Sequence, residues 1–269
     1  MEMFLPKLNR SALLGTSLSG KRQGLAAVCV DGKIYVFGGQ GADEHGNAES
    51  PTDTAEVYDF VKDKWSTLSP MPRASAYHAA VHRDGQIYVL GGGGFASRYD
   101  IANDNWHDIN GNSFVYSVSA AVTGDYIIAC DIYATCGKYD IKADQWSSFQ
   151  SLTEIKSSPV LTPNGYGGVY AIGGMDENYK PVGSMELADY QANGWKFLRE
   201  RNNVPYPQSN HALAQTDGKI YLTGGSSGDP FGTLISHRIQ SFDGSTWRIQ
   251  QPLFYSRYNH ATVACQISD

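Results

Sequence analysis

His78, His211 and His260 each stand one residue before a strand of small apolar residues, and imidazoles repeated in this way about a common axis are a metal-binding arrangement. Leu25 and Ser119 fill the same column in two other units, and Ser158 or Pro159 fills it in a third. The expectation is therefore histidines packed between units and hydrogen-bonded to backbone, with no metal ligand assigned. The stretches leading into these strands, "LSPMPRASAYHAA", "INGNSFVYSVSAA", "NNVPYPQSNHALA" and "PLFYSRYNHATVA", share Arg, Tyr, Asn and His. Acid/base chemistry has less to work with. The carboxylates of the variable loops are Asp43, Glu44, Glu49, Asp53, Asp176, Glu177 and Asp229, and no pair has a spacing that demands a general acid and base. Asp131 beside Cys130 stands where other units carry glycine, as in a decayed repeat. No residue is assigned a catalytic role, and no cofactor is expected.

The elements that must position these residues recur along the chain. Trp65, Trp106, Trp146, Trp195 and Trp247 are spaced 41, 40, 49 and 52 residues apart, and the pairs Gly38-Gly39, Gly91-Gly92, Gly173-Gly174 and Gly224-Gly225 keep the same rhythm with one gap. Setting "VDGKIYVFGG" over "VTGDYIIACD" fills that gap and puts Cys130-Asp131 in the place of the glycines. Each unit has a small-residue strand, a Gly-containing turn, and a β-branched and aromatic strand, which is a hairpin pattern. A variable loop, a strand ending in a Tyr-Asp or similar pair, a polar turn and a Trp-bearing strand follow. Four short antiparallel strands per 40–50 residues point to a closed radial array.

The chain of 269 residues has 41% hydrophobic residues, 18% charged residues, 29 glycines and a formal charge of -6. It has no basic block for a phosphate backbone or an anionic membrane surface. No apolar run approaches the roughly 20 residues of a membrane helix, and the N-terminal "SALLGTSLSG" is too polar for a signal peptide. The expected setting is the cytoplasm, without nucleic acid or membrane. Cys29, Cys130, Cys136 and Cys265 form no CxxC pair, and reduced, buried thiols are expected.

Gly-Gly after an "IYV" strand, the Tyr-Asp pair, the Trp after a polar turn, and "MPRASAYHAA" between units together resemble the kelch repeat over about residues 21–269. No Trp is followed by Asp, as WD40 repeats would require. The resemblance implies an all-β, kelch-type β-propeller, here a single domain over residues 1–269 and a monomer. It also implies a protein-protein interaction module holding a partner protein or peptide on its loop face, as a scaffold or substrate-recognition subunit. Arg22, Arg73, Tyr77, Tyr116, Asn210, Arg257, Tyr258 and Asn259 match the residues such propellers use around the channel mouth. Arg and Tyr also dominate binding hot spots by joining large contact area to directed hydrogen bonds. Many kelch proteins carry a BTB or F-box domain that links them to ubiquitin ligases, and these 269 residues have no room for one.

Two alternatives stay open. Some kelch-like propellers are enzymes acting at the central channel. A small-ligand or glycan binder would instead display exposed loop aromatics, for which Phe95, Tyr179, Phe231 and Tyr255 are the candidates.

Five repeats account for roughly residues 24–252, and the leftovers add up to one further unit. The expectation is six blades, the sixth split between the termini, with Asn259 to Gln266 as its innermost strand and "MFLPKL" and "SALLGTSL" as outer strands. Such a blade would cover two raw sheet edges. A ring of five blades is the alternative.

Overall fold

Residues that tolerate a left-handed backbone punctuate the chain. Asp31, Asp84 and Asp217 have φ of 48°, 50° and 50°, and each is followed by a positive-φ glycine, Gly32, Gly85 or Gly218. Two such residues in succession make the tight turn whose twist matches that of the flanking strands. The structure, a computed structural model, describes the whole chain except residues 44–46, 115, 156, 190–192, 199–201, 228–233 and 266–269.

An N-terminal hairpin comprises β1 (Glu2–Leu5) and β2 (Arg10–Leu13), joined by a short 3-10 turn over Pro6–Leu8. The first blade contains β3 (Ala26–Val30), β4 (Lys33–Phe37), β7 (Ala55–Asp59) and β8 (Lys64–Thr67), with the small ladder β5 (Gln40–Ala42) and β6 (Ala48–Pro51) raised in its loop. The second is β9 (Ala79–Arg83), β10 (Gln86–Leu90), β11 (Ala96–Asp100) and β12 (Asn105–Asp108). The third is β13 (Val118–Thr123), β14 (Tyr126–Asp131), β15 (Cys136–Asp140) and β16 (Gln145–Phe149). The fourth is β17 (Val160–Pro163), β18 (Val169–Ile172), β19 (Met185–Asp189) and β20 (Gly194–Phe197). In the fifth, β21 (Ala212–Thr216) and β22 (Lys219–Thr223) pair with β25 (Ile239–Phe242) and β26 (Trp247–Ile249), and β23 (Ser226–Ser227) and β24 (Leu234–Ile235) form its loop ladder.

Five four-stranded antiparallel sheets, each in strand order one to four, make an all-β propeller. The expectation of six blades is corrected to its alternative of five. The terminal hairpin is two-stranded, and residues 259–265 form no ladder. The physical reason is chain supply: the N-terminal segment provides two strands and a connector, and no described residue provides a second strand between them and the C-terminal segment.

The terminal segments nevertheless close the ring. Backbone hydrogen bonds run from Asn259 N–H to the Asn210 carbonyl (3.1 Å), from Gly24 N–H to Asn259 (2.9 Å), from Tyr77 N–H to Gly24 (2.6 Å) and from Val118 N–H to Tyr77 (2.9 Å). Polar side chains on the third strands hold the segment that leads into the first, fourth and fifth blades. Glu56 accepts from Ser19 N–H (3.2 Å) and pairs with Arg22, and Glu186 accepts from Thr153 N–H (2.9 Å) and Glu154 N–H (2.9 Å). Gln240 bonds both the N–H (3.1 Å) and the carbonyl (2.9 Å) of Tyr206. On β1, Glu2 repeats the arrangement, accepting from Phe254 N–H (2.6 Å) and pairing with Arg257.

The Tyr, Asp and Trp of the repeat build the sheets and join them. Tyr99 and Tyr139 donate to Asp104 (2.7 Å) and Asp144 (2.6 Å) in their own polar turns. Asp100 and Asp140 accept the turn N–H groups of Ala102 and Ala143 (both 2.9 Å). The Trp106 and Trp146 indoles donate to Ser69 and Asn110 carbonyls at the end of the preceding blade (both 2.9 Å), and Trp106 meets Phe37 of that blade edge-on with centroids 5.5 Å apart.

The expected free thiols are absent. Cys130 and Cys136, a directly opposed pair on β14 and β15, form one disulfide, and Cys29 on β3 is bonded to Cys265, 236 residues away. No CxxC pair announces either bridge, because both join residues brought together by strand pairing or ring closure. In the chain-entropy account, a loop of that length restrains the unfolded state by about 5 kcal/mol and the short one by about 2 kcal/mol. Cys265→Ser is expected to lower the melting temperature more than Cys136→Ser, and calorimetry with and without a dithiol reductant checks it. Equal effects of the two substitutions would show that ring closure does not depend on the longer bridge.

Candidate functional site

The loops that lead into the blades and the loops that follow the second strands interlock on one face. Gly39 N–H donates to Ser75 (2.9 Å), Gly93 N–H to Phe114 (2.8 Å) and Gly225 N–H to Arg257 (2.8 Å). All eight expected contact residues belong to this set of loops, but their exposure differs.

Arg22 is withdrawn from solvent, with a side chain 6% exposed, paired with Glu56 and donating to Thr54 Oγ1 (2.7 Å). Arg257 is committed to Glu2 and to the Tyr255 carbonyl (3.3 Å). Asn210 and Asn259 have φ of 52°, and their backbones carry the ring-closing bonds. Tyr77, with φ of 55°, is half-buried. Its hydroxyl accepts from Gln40 Nε2 (3.2 Å), and burial, with Tyr258 nearby, raises its pKa. Three residues are open: Arg73, donating to the Gly93 carbonyl (3.3 Å), Tyr116 and Tyr258.

Sequence reasoning passed over Tyr133, which lies in the short loop after β14 and meets Tyr116 at 6.4 Å between ring centroids, edge to face. Both rings are about 60% exposed, at 60% and 61%. Tyr206, with the Arg238 guanidinium 4.5 Å from its ring centroid, and Phe254 were passed over too and are exposed. A signal was available, since an aromatic in a four-residue loop has nothing beneath it to bury against. Of the loop aromatics set aside for a sugar, Tyr179 and Tyr255 are exposed, Phe95 is buried in the core shared by the first two blades, and Phe231 lies outside the described residues.

Glu44 and Asp229 also fall outside the described residues. Asp176 is a turn residue whose carboxylate accepts from Asn178 N–H (2.8 Å) and Lys180 N–H (2.9 Å), and the backbone bond from Lys180 is foremost in lowering its pKa.

Strand register shifts the degenerate repeat by one residue. Cys130 opposes Ser119 as Leu90 opposes Ala79, so Asp131, not Cys130, takes the place of the first glycine. Asp131 is 2% exposed, and its carboxylate accepts from Tyr133 N–H (2.9 Å) and Thr135 N–H (3.1 Å). It shapes the short turn that presents Tyr133.

The same register puts Val118 and Pro159 in the histidine column of the third and fourth blades. Each histidine packs against a glycine of the preceding blade. A Cβ on Gly38, Gly173 or Gly224 would lie 2.7, 2.6 or 2.6 Å from Cε1 of His78, His211 or His260, and these glycines have φ of 54°, 61° and 60°. Where the preceding blade offers Gly91, whose φ is not positive, or Asp131, the column holds Val118 or Pro159 instead. Imidazole and left-handed glycine therefore form one packing unit. His211 Nδ1 lies 2.9 Å from the Gln208 carbonyl. Among the described residues, no three His, Cys, Asp or Glu side chains gather as metal ligands.

Burial holds His78 and His211 neutral, with pKa values pushed down to about 4, and burial followed by the Arg257 charge pushes His260 to about 3. The unfolded chain protonates these groups near pH 6.5, so it takes up protons before the folded chain as pH falls. Stability is expected to drop from about pH 6.5 towards 4, by about 1.4 kcal/mol per pH unit for each histidine. Asp243, held down at about 2 chiefly by backbone hydrogen bonds from Thr246 and Ser245, contributes only at lower pH. Urea midpoints at pH 7.5, 5.5 and 4.5 measure the loss, and His211→Gln is expected to flatten it.

Comparison with known proteins agrees with this geometry. The family model described as "Kelch motif" matches residues 21–72. Beta-scruin of Limulus polyphemus is 27% identical over 267 residues, covering 96% of this chain and 25% of that protein. Human Kelch-like protein 23 is 28% identical, covering 90% of this chain and 44% of its own length. Human Kelch repeat and BTB domain-containing protein 12 is 26% identical, covering 78% and 31%. The chain spans from a quarter to less than half the length of these relatives. No helix among the described residues is long and apolar enough to cross a membrane. Repeated glycine pairs, Tyr-Asp pairs and inter-blade tryptophans, set in five four-stranded blades, agree with these relatives: the fold is an all-β, kelch-type propeller, and residues 21–72 carry a kelch motif.

Proposed function

We propose that the chain is a monomeric, single-domain protein-interaction module that receives a partner protein or peptide on its loop face, beside the Tyr116–Tyr133 pair. The observation that carries this reading is that pair: two adjacent tyrosines, each mostly exposed, held by backbone that Asp131 caps. Tyrosines lose little side-chain freedom on binding and combine an apolar ring with a hydrogen-bonding tip. Arg73 adds an exposed guanidinium on the loop that reaches Gly93. Tyr77 and Tyr258 extend the same rim. The kelch relatives, one of them named for a BTB domain, support a recognition role for the propeller, and a scaffold or substrate-recognition subunit is the form that role takes in this reading.

The expected cytoplasmic setting bears on the cysteines. A reducing cytosol keeps thiols free, and disulfides persist in oxidising compartments. The bridged form described above is the form of an oxidising setting.

A second reading is favoured by a specific observation: Arg22 and Arg257 are tied up in ion pairs while the aromatics are open. That balance suits a neutral glycan, whose ring faces stack on tyrosine. One experiment separates the two. Cross-linking capture with wild type, Tyr133→Ala and Arg73→Ala is expected to lose a protein partner by about tenfold or more in both variants. Capture unchanged in both would overturn the choice of face. Binding to a neutral oligosaccharide that is lost in Tyr133→Ala and kept in Arg73→Ala would establish the second reading. Arg257→Ala is unsuitable, because Arg257 holds the N-terminal hairpin through Glu2.

A further inference from the structure

The first and second blades meet in a cleft of about 250 Å³, on the side of the polar turns and away from the loop face. Val57, Leu68, Ile101 and the rings of Tyr35 and Tyr99 line its inner part, and Lys33, Lys62, Lys64 and Ser66 stand at its more exposed rim. A second cleft, of about 300 Å³, lies between the fifth blade and the N-terminal hairpin, with Lys219, Tyr221, Ser241, Asp243 and Arg248 in its lining. Strand register makes the two places equivalent. Tyr35 opposes Val57, which opposes Ser66, and Tyr221 opposes Ser241, which opposes Arg248. In the second blade the same row is Tyr88, Arg98 and His107.

That second blade shows what occupies the place from within. Tyr88 and Tyr139 stand 6.2 Å apart between ring centroids, much as Tyr35 and Tyr99 stand 6.4 Å apart, but Arg98 lies where the first blade has Val57. Burial raises the pKa of Tyr88 and of Tyr139, and the Arg98 charge opposes the rise in both, which puts the guanidinium beside the pair. In the third blade Lys138 takes the position of Arg98, opposite Ile128, and its ammonium lies 5.2 Å from the centroid of the Tyr126 ring. Both cations are partly buried. The blades with an open cleft have a short side chain there, Val57 or Ser241, and begin the second strand with lysine, Lys33 or Lys219. The second and third blades begin it with Gln86 and Tyr126. The fourth has Leu187 in the row and starts its second strand at Val169, with no cation in either place. In the first and fifth blades, then, the cation has moved from inside the cleft to its rim.

At the rim of the first cleft the cations exceed their partners. Asp59 is shared between Lys33 (3.9 Å) and Lys62 (3.7 Å). Asp104 accepts from the Tyr99 hydroxyl (2.7 Å) and Ser69 N–H (2.9 Å). Lys64 makes no ion pair among the described residues. Three ammonium groups thus face two carboxylates, in a chain whose formal charge is -6. A concave surface with an excess of one sign and low-dielectric walls focuses its potential inwards. A cation entering from outside, as a counterpart of Arg98, is repelled by that rim, and an anion is drawn to it. Burial, followed by the charges of Asp31 and Asp59, raises the pKa of Tyr35, so its hydroxyl keeps the proton it would donate.

We propose that the cleft between the first and second blades binds a phosphate-type oxyanion, held by the Lys33 and Lys64 ammonium groups and by the hydroxyls of Tyr35 and Ser66. Charge-assisted hydrogen bonds of this kind are the strong ones, and Lys62 offsets Asp59 beside them. Free phosphate and a phosphate monoester share this chemistry. They differ in what meets Val57, Leu68 and Ile101, which suit an organic stem. The cleft is remote from Tyr116 and Tyr133, so this inference stands or falls independently of the loop-face reading.

The test is a titration of the isotope-labelled chain with inorganic phosphate, followed by amide NMR shifts, with ionic strength held constant by chloride. Saturable shifts are expected at residues 33–35 and 62–66. Lys33→Gln copies Gln86 of the second blade and is expected to weaken binding by about tenfold, the loss of one charge-assisted hydrogen bond. Val57→Arg copies Arg98, fills the cleft from within and is expected to abolish those shifts. Should Val57→Arg fail to fold, Lys33→Gln, a change at the rim, carries the test by itself. Phenyl phosphate binding more tightly than inorganic phosphate would identify a monoester as the ligand, and equal binding a free anion. Absence of saturable shifts at these residues, shifts reproduced by chloride alone, or binding undiminished in Lys33→Gln would overturn the proposal.

Discussion

The architecture depends on backbone hydrogen bonds made where successive inner strands begin. Asn210, Asn259, Gly24 and Tyr77 pass the contact from one to the next, each with positive φ. That conformation lets the chain turn sharply from an incoming loop into a strand while N–H and C=O point sideways to the neighbouring blades. For Asn and Gly the conformation is easily reached, and for Tyr77 it costs backbone strain that packing must offset. Because these bonds run between blades and not within them, they set the spacing of the ring, and the loop face inherits its layout from them.

The third-strand polar residues extend the same constraint outward. Glu56, Glu186 and Glu2 are carboxylates buried behind the loops they hold, and each is supplied with N–H donors or a guanidinium, as a buried charge must be. This explains why, of the arginines that resemble kelch contact residues, Arg22 is withdrawn from the surface and Arg257, still partly exposed, is committed to an ion pair. Arg22 and Arg257 neutralise Glu56 and Glu2, and neither can swing out without leaving a carboxylate buried and unpaired. The rim that remains open is formed mainly by tyrosines.

Much of the fold was legible because period and turn chemistry are local. The tryptophans, glycine pairs and Tyr-Asp pairs located five blades, and the leftover termini were rightly brought together at the ring's closure. What escaped was non-local. Whether the terminal segments make a whole sheet depends on a strand between them, and the period of the repeat does not count strands one by one. Cys29 and Cys265 become neighbours only when the ring shuts. The one-residue slip at Asp131 arose because the third blade turns on Gly124-Asp125 where the first turns on Asp31-Gly32, so a motif aligned on its glycines is displaced by one residue. In the candidate site, residue type singled out Tyr116, which is exposed, but could not separate Arg73 from Arg22, since exposure depends on a carboxylate across the blade.

The Cys29–Cys265 bridge also changes how this molecule responds to damage. It makes residues 29–265 a covalent circle, so one cut in an exposed loop between those two residues opens the circle without releasing a fragment. A nicked molecule keeps its mass and, with the blades packed on both sides of the cut, its shape. Only reduction would separate the pieces, and in an oxidising environment the ring would outlast the first protease that reached it.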